Sequence, residues 1–269
     1  MVLLDEGGLG RNGARLLAPA RLAPWIEHFW IQSGDQQFQR RPWRIVPDAS
    51  AHIIFAVESQ IGDEDQASCF VVGSRAAHVD IDVSRRLLTI GARLRPGVLP
   101  ALTRSHSRAL TDRAFRAEDV FGRAGRALAD RMRLSTPDLA LDHLQSFLAE
   151  RLTTSEPDAR LGRALRAAAS VASLAEATGV SLRGIWNGTM EKTGLGPKRL
   201  LRIVRLHRAL RRAAIPGAKW SEIAYESGYA DQAHLVREFV FLLGETPEVW
   251  RNRGRADSFN TTSMAPPQT

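Results

Sequence analysis

The chain has 269 residues, 44% hydrophobic and 25% charged, which is enough apolar content for two domains with separate cores and excludes general disorder. A single cysteine, Cys69, excludes an internal disulfide framework and a multi-cysteine zinc site, and fits a reducing compartment. The net charge of +8 is localised: residues 159–257 carry 17 Lys+Arg against 9 Asp+Glu, whereas residues 1–158 carry 20 of each. A basic excess confined to one third of a chain is the electrostatic footprint of a polyanion-binding module, although an Arg-rich solvated surface gives the same count.

The N-terminus lacks the basic start and apolar run of a signal peptide, and no stretch reaches the ~18 apolar residues of a membrane helix. A soluble, cytoplasmic protein without membrane contact is expected. Trp25 to Ile31, Ala51 to Val57, Cys69 to Val72 and Leu87 to Leu94 read as short strands separated by turn formers, forming a β-rich sheet or barrel. From Gly97 the spacing becomes helical, at Val98, Leu99 and Leu102, then Val120 to Met132, then Leu139 to Leu148. The polar stretch Thr153 to Asp158, with Pro157, separates the neutral half from the basic half. The expected fold is therefore multidomain: a β-rich N-terminal domain with following helices over 1–152, a linker over 153–158, an all-α domain over 159–253, and a disordered tail over 254–269.

The C-terminal region repeats itself. Leu174, Ala175 and Gly179 recur as Ile223, Ala224 and Gly228 at an offset of 49, and Ile185, Gly194 and Pro197 recur as Leu235, Gly244 and Pro247 at an offset of 50. Each copy reads as a short helix, a glycine, a polar turn and a second helix. Ala175 and Ala224 are small where two helices must cross closely, and Gly179 and Gly228 stand where a left-handed residue ends the first helix. Ser173 with Glu176 predicts a capping box, and Ser181 and Asp231 predict N-caps for the two second helices. Lys198 to Ala213 predicts a long helix joining the copies, stopped by Pro216 and Gly217.

Residues Trp220 to Ala224, Gly228, Tyr229, Asp231 to Leu235, Arg237 to Phe239, Gly244, Thr246 and Pro247 closely resemble the C-terminal signature of AraC-type regulators. The resemblance covers about 95 residues. It implies a double helix-turn-helix domain whose recognition helices enter successive major-groove segments on one face of double-stranded DNA, ~34 Å apart. It also implies a ligand-responsive, nucleoid-associated transcription regulator, with RNA polymerase and a second copy of the chain as further candidate partners.

By the same resemblance the second recognition helix presents Gln232, Ala233, His234 and Arg237 outward, with Leu235 and Phe239 inward. Arg can bond guanine bidentately, Gln can bond adenine, and Ala can touch a thymine methyl. Arg237 could instead pair with Glu238 or clamp a phosphate, and His234 could serve packing. The first recognition helix offers Arg183, Trp186 and Asn187 outward and Ile185 inward. Gly184 and Gly188 weaken that helix by ~1 kcal/mol each relative to Ala, and Gly188 and Thr189 replace the family's bulky apolar residues. Trp186 is therefore open to two readings: a base contact, or a ring turned inward over the space left by Gly188. Lys192, Lys198, Arg199 and Arg251 are phosphate candidates or solvated charges.

The N-terminal half resembles the β-rich sensor domain that precedes the helix-turn-helix pair in a subset of the same regulators, through Pro47 and Asp48, Val72 and Gly73, Gly91 and Arg93, Pro96 and Gly97, and Leu110, Thr111 and Asp112. An effector pocket is implied, for which Trp30, Trp43, His52, Phe55 and Arg93 are candidates, unless these aromatics are simply core. His28, His52, His78, His106 and His143 show no metal-ligand spacing, and no cofactor is implied. The enzymatic alternative is an enzyme or DNA-repair protein delivered by the helix pair: a repair methyltransferase needs a reactive cysteine, whereas the lone Cys69 sits in an apolar strand, and no nucleophile-elbow motif supports another nucleophilic enzyme. A third reading is a degenerate first copy that serves protein contacts only.

Overall fold

The computed structural model describes residues 3–4, 13–34, 43–59, 66–81, 86–103, 107–152 and 160–254. The expected linker at Thr153 to Asp158 and the tail beyond Gly254 lie outside the described residues.

Among the described residues, eight strands come first, β1 (Leu3–Leu4), β2 (Gly13–Leu17), β3 (Ile26–Gly34), β4 (Trp43–Ile45), β5 (His52–Ser59), β6 (Gln66–Val72), β7 (Val79–Ile81) and β8 (Arg86–Leu94), and a ninth, β9 (Ala114–Arg116), follows two short helices. Seven of them form an antiparallel sheet in the order β1-β2-β3-β8-β5-β6-β9, and β4 pairs with β7 separately. The described strands thus make an open sheet, with β1 and β9 at its edges, the first of the two forms, sheet or barrel, that the sequence left open.

Side chains alternate across a strand, so register sorts the two faces. Leu16 opposite Phe29, Phe55 opposite Ile90, and Ile53 opposite Ala92 build the apolar face. It is covered by five helices: α1 (Leu99–Thr103), α2 (Ser107–Leu110), α3 (Ala117–Phe121), α4 (Arg123–Arg133) and α5 (Pro137–Leu152). Leu128, Met132, Leu141, Leu144 and Leu148 close the core against the sheet. Phe55 belongs to this core at 1% exposure, the alternative that the sequence left open for its aromatics.

The opposite face is polar yet also buried. Arg15, His28, Gln32, Thr89 and Arg93 all stand on it, through the pairs Arg15 with Trp30, His28 with Arg93, and Gln32 with Thr89.

The C-terminal region is all helix: α6 (Arg160–Ala167), α7 (Val171–Thr178), α8 (Leu182–Thr193), α9 (Pro197–Ala213), α10 (Trp220–Ser227), α11 (Gln232–Leu243) and α12 (Pro247–Gly254). The first half of α9 supplies Leu200, Leu201, Ile203 and Val204 to the core around α6 to α8. Its second half supplies Leu206, Ala209, Leu210 and Ala213 to the core around α10 to α12. Each core also takes in residues of the N-terminal domain, Ala49 and Ala76 in the first and Val46 in the second.

Candidate nucleic-acid interface

The two helix pairs are built alike. Gly179 and Gly228 end α7 and α10 with φ of 67° and 85°, a left-handed geometry that glycine adopts without steric cost. Ser181 caps α8 by accepting from the Gly184 amide, and Asp231 caps α11 by accepting from the His234 amide at 2.6 Å. The capping box of α7 is one turn earlier than the sequence suggested: Ser170 is the N-cap, and Ser173 is the third helical residue that returns the bond. Ser170 and Ser173 stand at the three-residue spacing a capping box needs, just past the end of α6 at Ala167.

On α11, Leu235 and Phe239 are fully buried, and Gln232, Ala233 and Arg237 are exposed. Glu238 is held by Arg202 of α9 through two bonds of 2.8 and 2.9 Å, so Arg237 is not its partner. Arg237 instead borders an open cleft of about 480 Å³ together with Arg202, Asp231 and His234. His234 is half-buried. Its Nδ1 accepts from the Ala230 amide at 3.3 Å, and its ring meets Tyr229 edge-on at 5.3 Å, so it braces the turn as well as bordering the cleft.

On α8, Ile185 is buried, while Arg183, Trp186 and Asn187 are exposed. Trp186 is 54% exposed and rests against Gly196 in the turn before α9, so its ring does not fill the space at Gly188. Thr189 replaces a bulky residue without leaving a buried hydroxyl unsatisfied, because its Oγ1 donates to the Trp186 carbonyl at 3.1 Å.

The four phosphate candidates separate. Lys198 and Arg199 are exposed at the start of α9. Lys192 is turned toward the N-terminal domain, with its stem against Gly97 and its carbonyl accepting from Ser107 Oγ at 2.9 Å. Arg251 donates to the Ala218 carbonyl at 2.9 Å and stacks on Trp220 at 3.9 Å, fastening α12 to the start of α10. Sequence reading missed Arg202, whose guanidinium also lies 4.2 Å from the exposed Phe241 ring. No local pattern joins residues 202, 238 and 241 before the fold is known.

Of the effector candidates, Trp30, His52 and Arg93 meet on the polar sheet face. Arg93 Nη2 donates to Asp48 at 2.6 Å and its Nε lies 3.2 Å from Glu27, while His52 Nε2 is 3.0 Å from Asp48 and its ring is 5.6 Å from Trp30. Burial alone would raise the Asp48 pKa, but Arg93 and the bond to His52 hold it well below the usual carboxylate range. Burial, with Arg93 and Arg15 nearby, pushes His28 down to about 2. The Trp30 ring covers Gly91 so closely that any side chain there would collide with it. Trp43 begins β4, and its side chain lies outside the described residues. On the other face, burial pushes the Cys69 thiol up to about 12.

Residues 14–116 match the model of a family described as a domain of unknown function, DUF6597, and residues 174–253 match that of a helix-turn-helix domain family. No curated protein matches the chain. Among solved structures, one crystal structure of ToxT from Vibrio cholerae is similar at 8% identity over 82% of this chain and 95% of that one, with a TM-score of 0.43. A second ToxT structure, with unsaturated fatty acid bound, is similar at 13% identity over 83% of this chain and 94% of that one, with a TM-score of 0.44. No described helix is long and apolar enough to cross a membrane.

Proposed function

We propose, from the premise that the C-terminal third of this chain is a helix-turn-helix region of the AraC type, that the protein is a sequence-specific transcription regulator. It reads double-stranded DNA with α8 and α11 and responds to a small molecule through its N-terminal domain. The observation that carries this reading is the matched exposure of the two recognition helices. Each buries its inward residue, Ile185 or Leu235, and leaves a basic, polar outer row, Arg183 with Asn187 and Gln232 with Arg237, in the one region of the chain that holds its positive excess. Arg237, unpaired with Glu238, is assigned to base reading, and Lys198 and Arg199 to phosphates.

The effector site is assigned to the polar sheet face at Trp30, His52 and Arg93. Support comes from two neighbouring groups there, Gln32 Oε1 and Thr89 Oγ1, that are buried without a hydrogen-bond partner. Such atoms cost stability unless something else satisfies them. The repair-enzyme alternative gains no support from Cys69, whose buried, raised-pKa thiol is a poor nucleophile. The exposure of Arg183 and Asn187 speaks against a first copy limited to protein contacts. The protein is assigned to the cytoplasm, on the nucleoid, with RNA polymerase and a second copy of itself as candidate partners.

Selection of duplexes from a random library by the full chain tests the reading. An enriched motif whose retention falls with salt, and which Arg237→Ala weakens by about 5- to 150-fold, is the expected result. Enrichment of no sequence would overturn it.

A further inference from the structure

The residues by which the N-terminal half resembles a sensor domain are scattered from Pro47 to Asp112, and the fold gathers many of them where that half meets the helix-turn-helix region. The Pro47 carbonyl accepts from Nε2 of the buried His207, in the middle of α9, at 2.6 Å. Pro96 packs on Gly162 of α6, and Gly97 on Leu161 and Lys192.

The two remaining contacts fall at equivalent places in the repeat. At the end of α8, Ser107 Oγ donates to the Lys192 carbonyl at 2.9 Å, and Gly194 is pressed so closely on Thr111 that any side chain would collide with the Thr111 hydroxyl. At the end of α11, 50 residues later in the repeat, the His78 amide donates to the Leu242 carbonyl at 3.3 Å and the His78 ring covers Gly244. Arg44 Nη1 adds a 2.8 Å bond to the Leu243 carbonyl. Gly194 and Gly244 both have φ of 71°.

The two grips are tied to each other. Asp112 is the one described non-glycine residue with positive φ, at 57°, and its Oδ1 accepts from the Ala76 amide at 2.7 Å while its own amide donates to the Ser74 carbonyl. The segment carrying Thr111 is thereby fixed to the segment carrying His78. Asp48 bridges Arg75 in the same strap through paired backbone bonds of 2.7 and 2.9 Å.

We propose that the N-terminal domain is a template for DNA reading: it grips the two recognition helices at the same repeat position and holds them, through Asp112, at one mutual placement. The regulator then accepts a single separation between its two contacted DNA segments. The inference rests on the DNA-binding reading above. It adds that the long helix α9 alone does not set the separation, and it makes Ser107, Thr111, Asp112 and His78 positioning residues that touch no DNA.

The test uses the full chain and a duplex that it selects from a random library, rebuilt with one to three base pairs inserted or removed between the two contacted segments. Wild type is expected to lose at least tenfold in affinity on a one-base-pair change. Ser107→Ala combined with His78→Ala, or Asp112→Gly alone, is expected to cut that preference at least fivefold. Asp112→Asn, which keeps an acceptor for the Ala76 amide, restores it. Should the double variant fail to fold, the single variants Ser107→Ala and His78→Gln are read the same way. A spacing preference equal to wild type in folded variants overturns the template, even if overall affinity falls. A wild-type chain that enriches no sequence overturns the DNA reading and the template together, before any variant is made.

Discussion

Arg93 and Asp48 form a buried ion pair, with Arg93 only 1% exposed, and buried pairs are costly to break from one side. Arg93→Met keeps the length of the side chain but leaves the Asp48 carboxylate with only His52 and the Ser50 amide. Thermal or denaturant unfolding is expected to show a loss of about 3–5 kcal/mol. A loss below 1 kcal/mol would mean that water reaches the pair. The histidines give a pH dependence of definite sign. Burial lowers His28 to about 2 and lowers His207 as well, from an unfolded value near 6.5. Their contribution is therefore complete above about pH 6.5. Below it the unfolded chain takes up protons that the native sites refuse, and stability falls by up to ~1.4 kcal/mol per pH unit for each histidine. Asp48, also depressed, adds its own loss only below about pH 4. The Tm is expected to drop between pH 7.5 and 5.5, and a flat Tm across that range would show that both rings accept protons in the native state. At this scale the sequence was readable where a residue's role is local, as for Ser181, Asp231, Gly179 and Gly228. It was silent where the role depends on distant partners. Arg202 gives no sign in the sequence of its bond to Glu238.

The helix pairs are the elements on which DNA reading depends, and their ends are held by caps. Asp231→Ala removes the acceptor for the His234 amide and is expected to cost ~1 kcal/mol, visible as a lowered Tm of the C-terminal region and weakened DNA retention. Gly228→Val puts a β-branched residue at φ of 85° and should cost more. An unchanged Tm in that variant would refute the left-handed assignment. The repeat, the caps and the long helix could be read because helix periodicity and cap chemistry act within a few residues. Lys198 to Ala213 was expected, and Pro197–Ala213 is found. The sheet was harder. Its strands were recognised, but the polar face of Arg15, His28, Gln32, Thr89 and Arg93 arises only when β2, β3, β8 and β5 are set side by side, and strand order is not written in any one strand. Trp186 shows the same limit, since its contact with Gly196 depends on how the turn before α9 folds back.

At the scale of the whole molecule, hydrogen bonds among the described residues join the N-terminal domain to the helical region at the end of α8, the middle of α9 and the end of α11, and Pro96 and Gly97 pack on α6. The sequence carried the residues of that junction as short turn-rich matches, without indicating that they face another domain. A junction of this kind gives a ligand on the polar sheet face a physical route to DNA. Asp48 touches Arg93 on one side and bridges Arg75, in the strap that carries His78, on the other. A small molecule that rearranges Arg93 is therefore expected to change DNA affinity, and Arg93→Met should remove that response while leaving a folded, DNA-binding fraction. The central claim, that α8 and α11 both enter DNA from one side, is tested most directly by hydroxyl-radical footprinting of the full chain on a selected duplex. Two protected segments centred about one helical turn, roughly 10 base pairs, apart on the same face of the duplex are predicted. A single protected segment, or two on opposite faces, would contradict it.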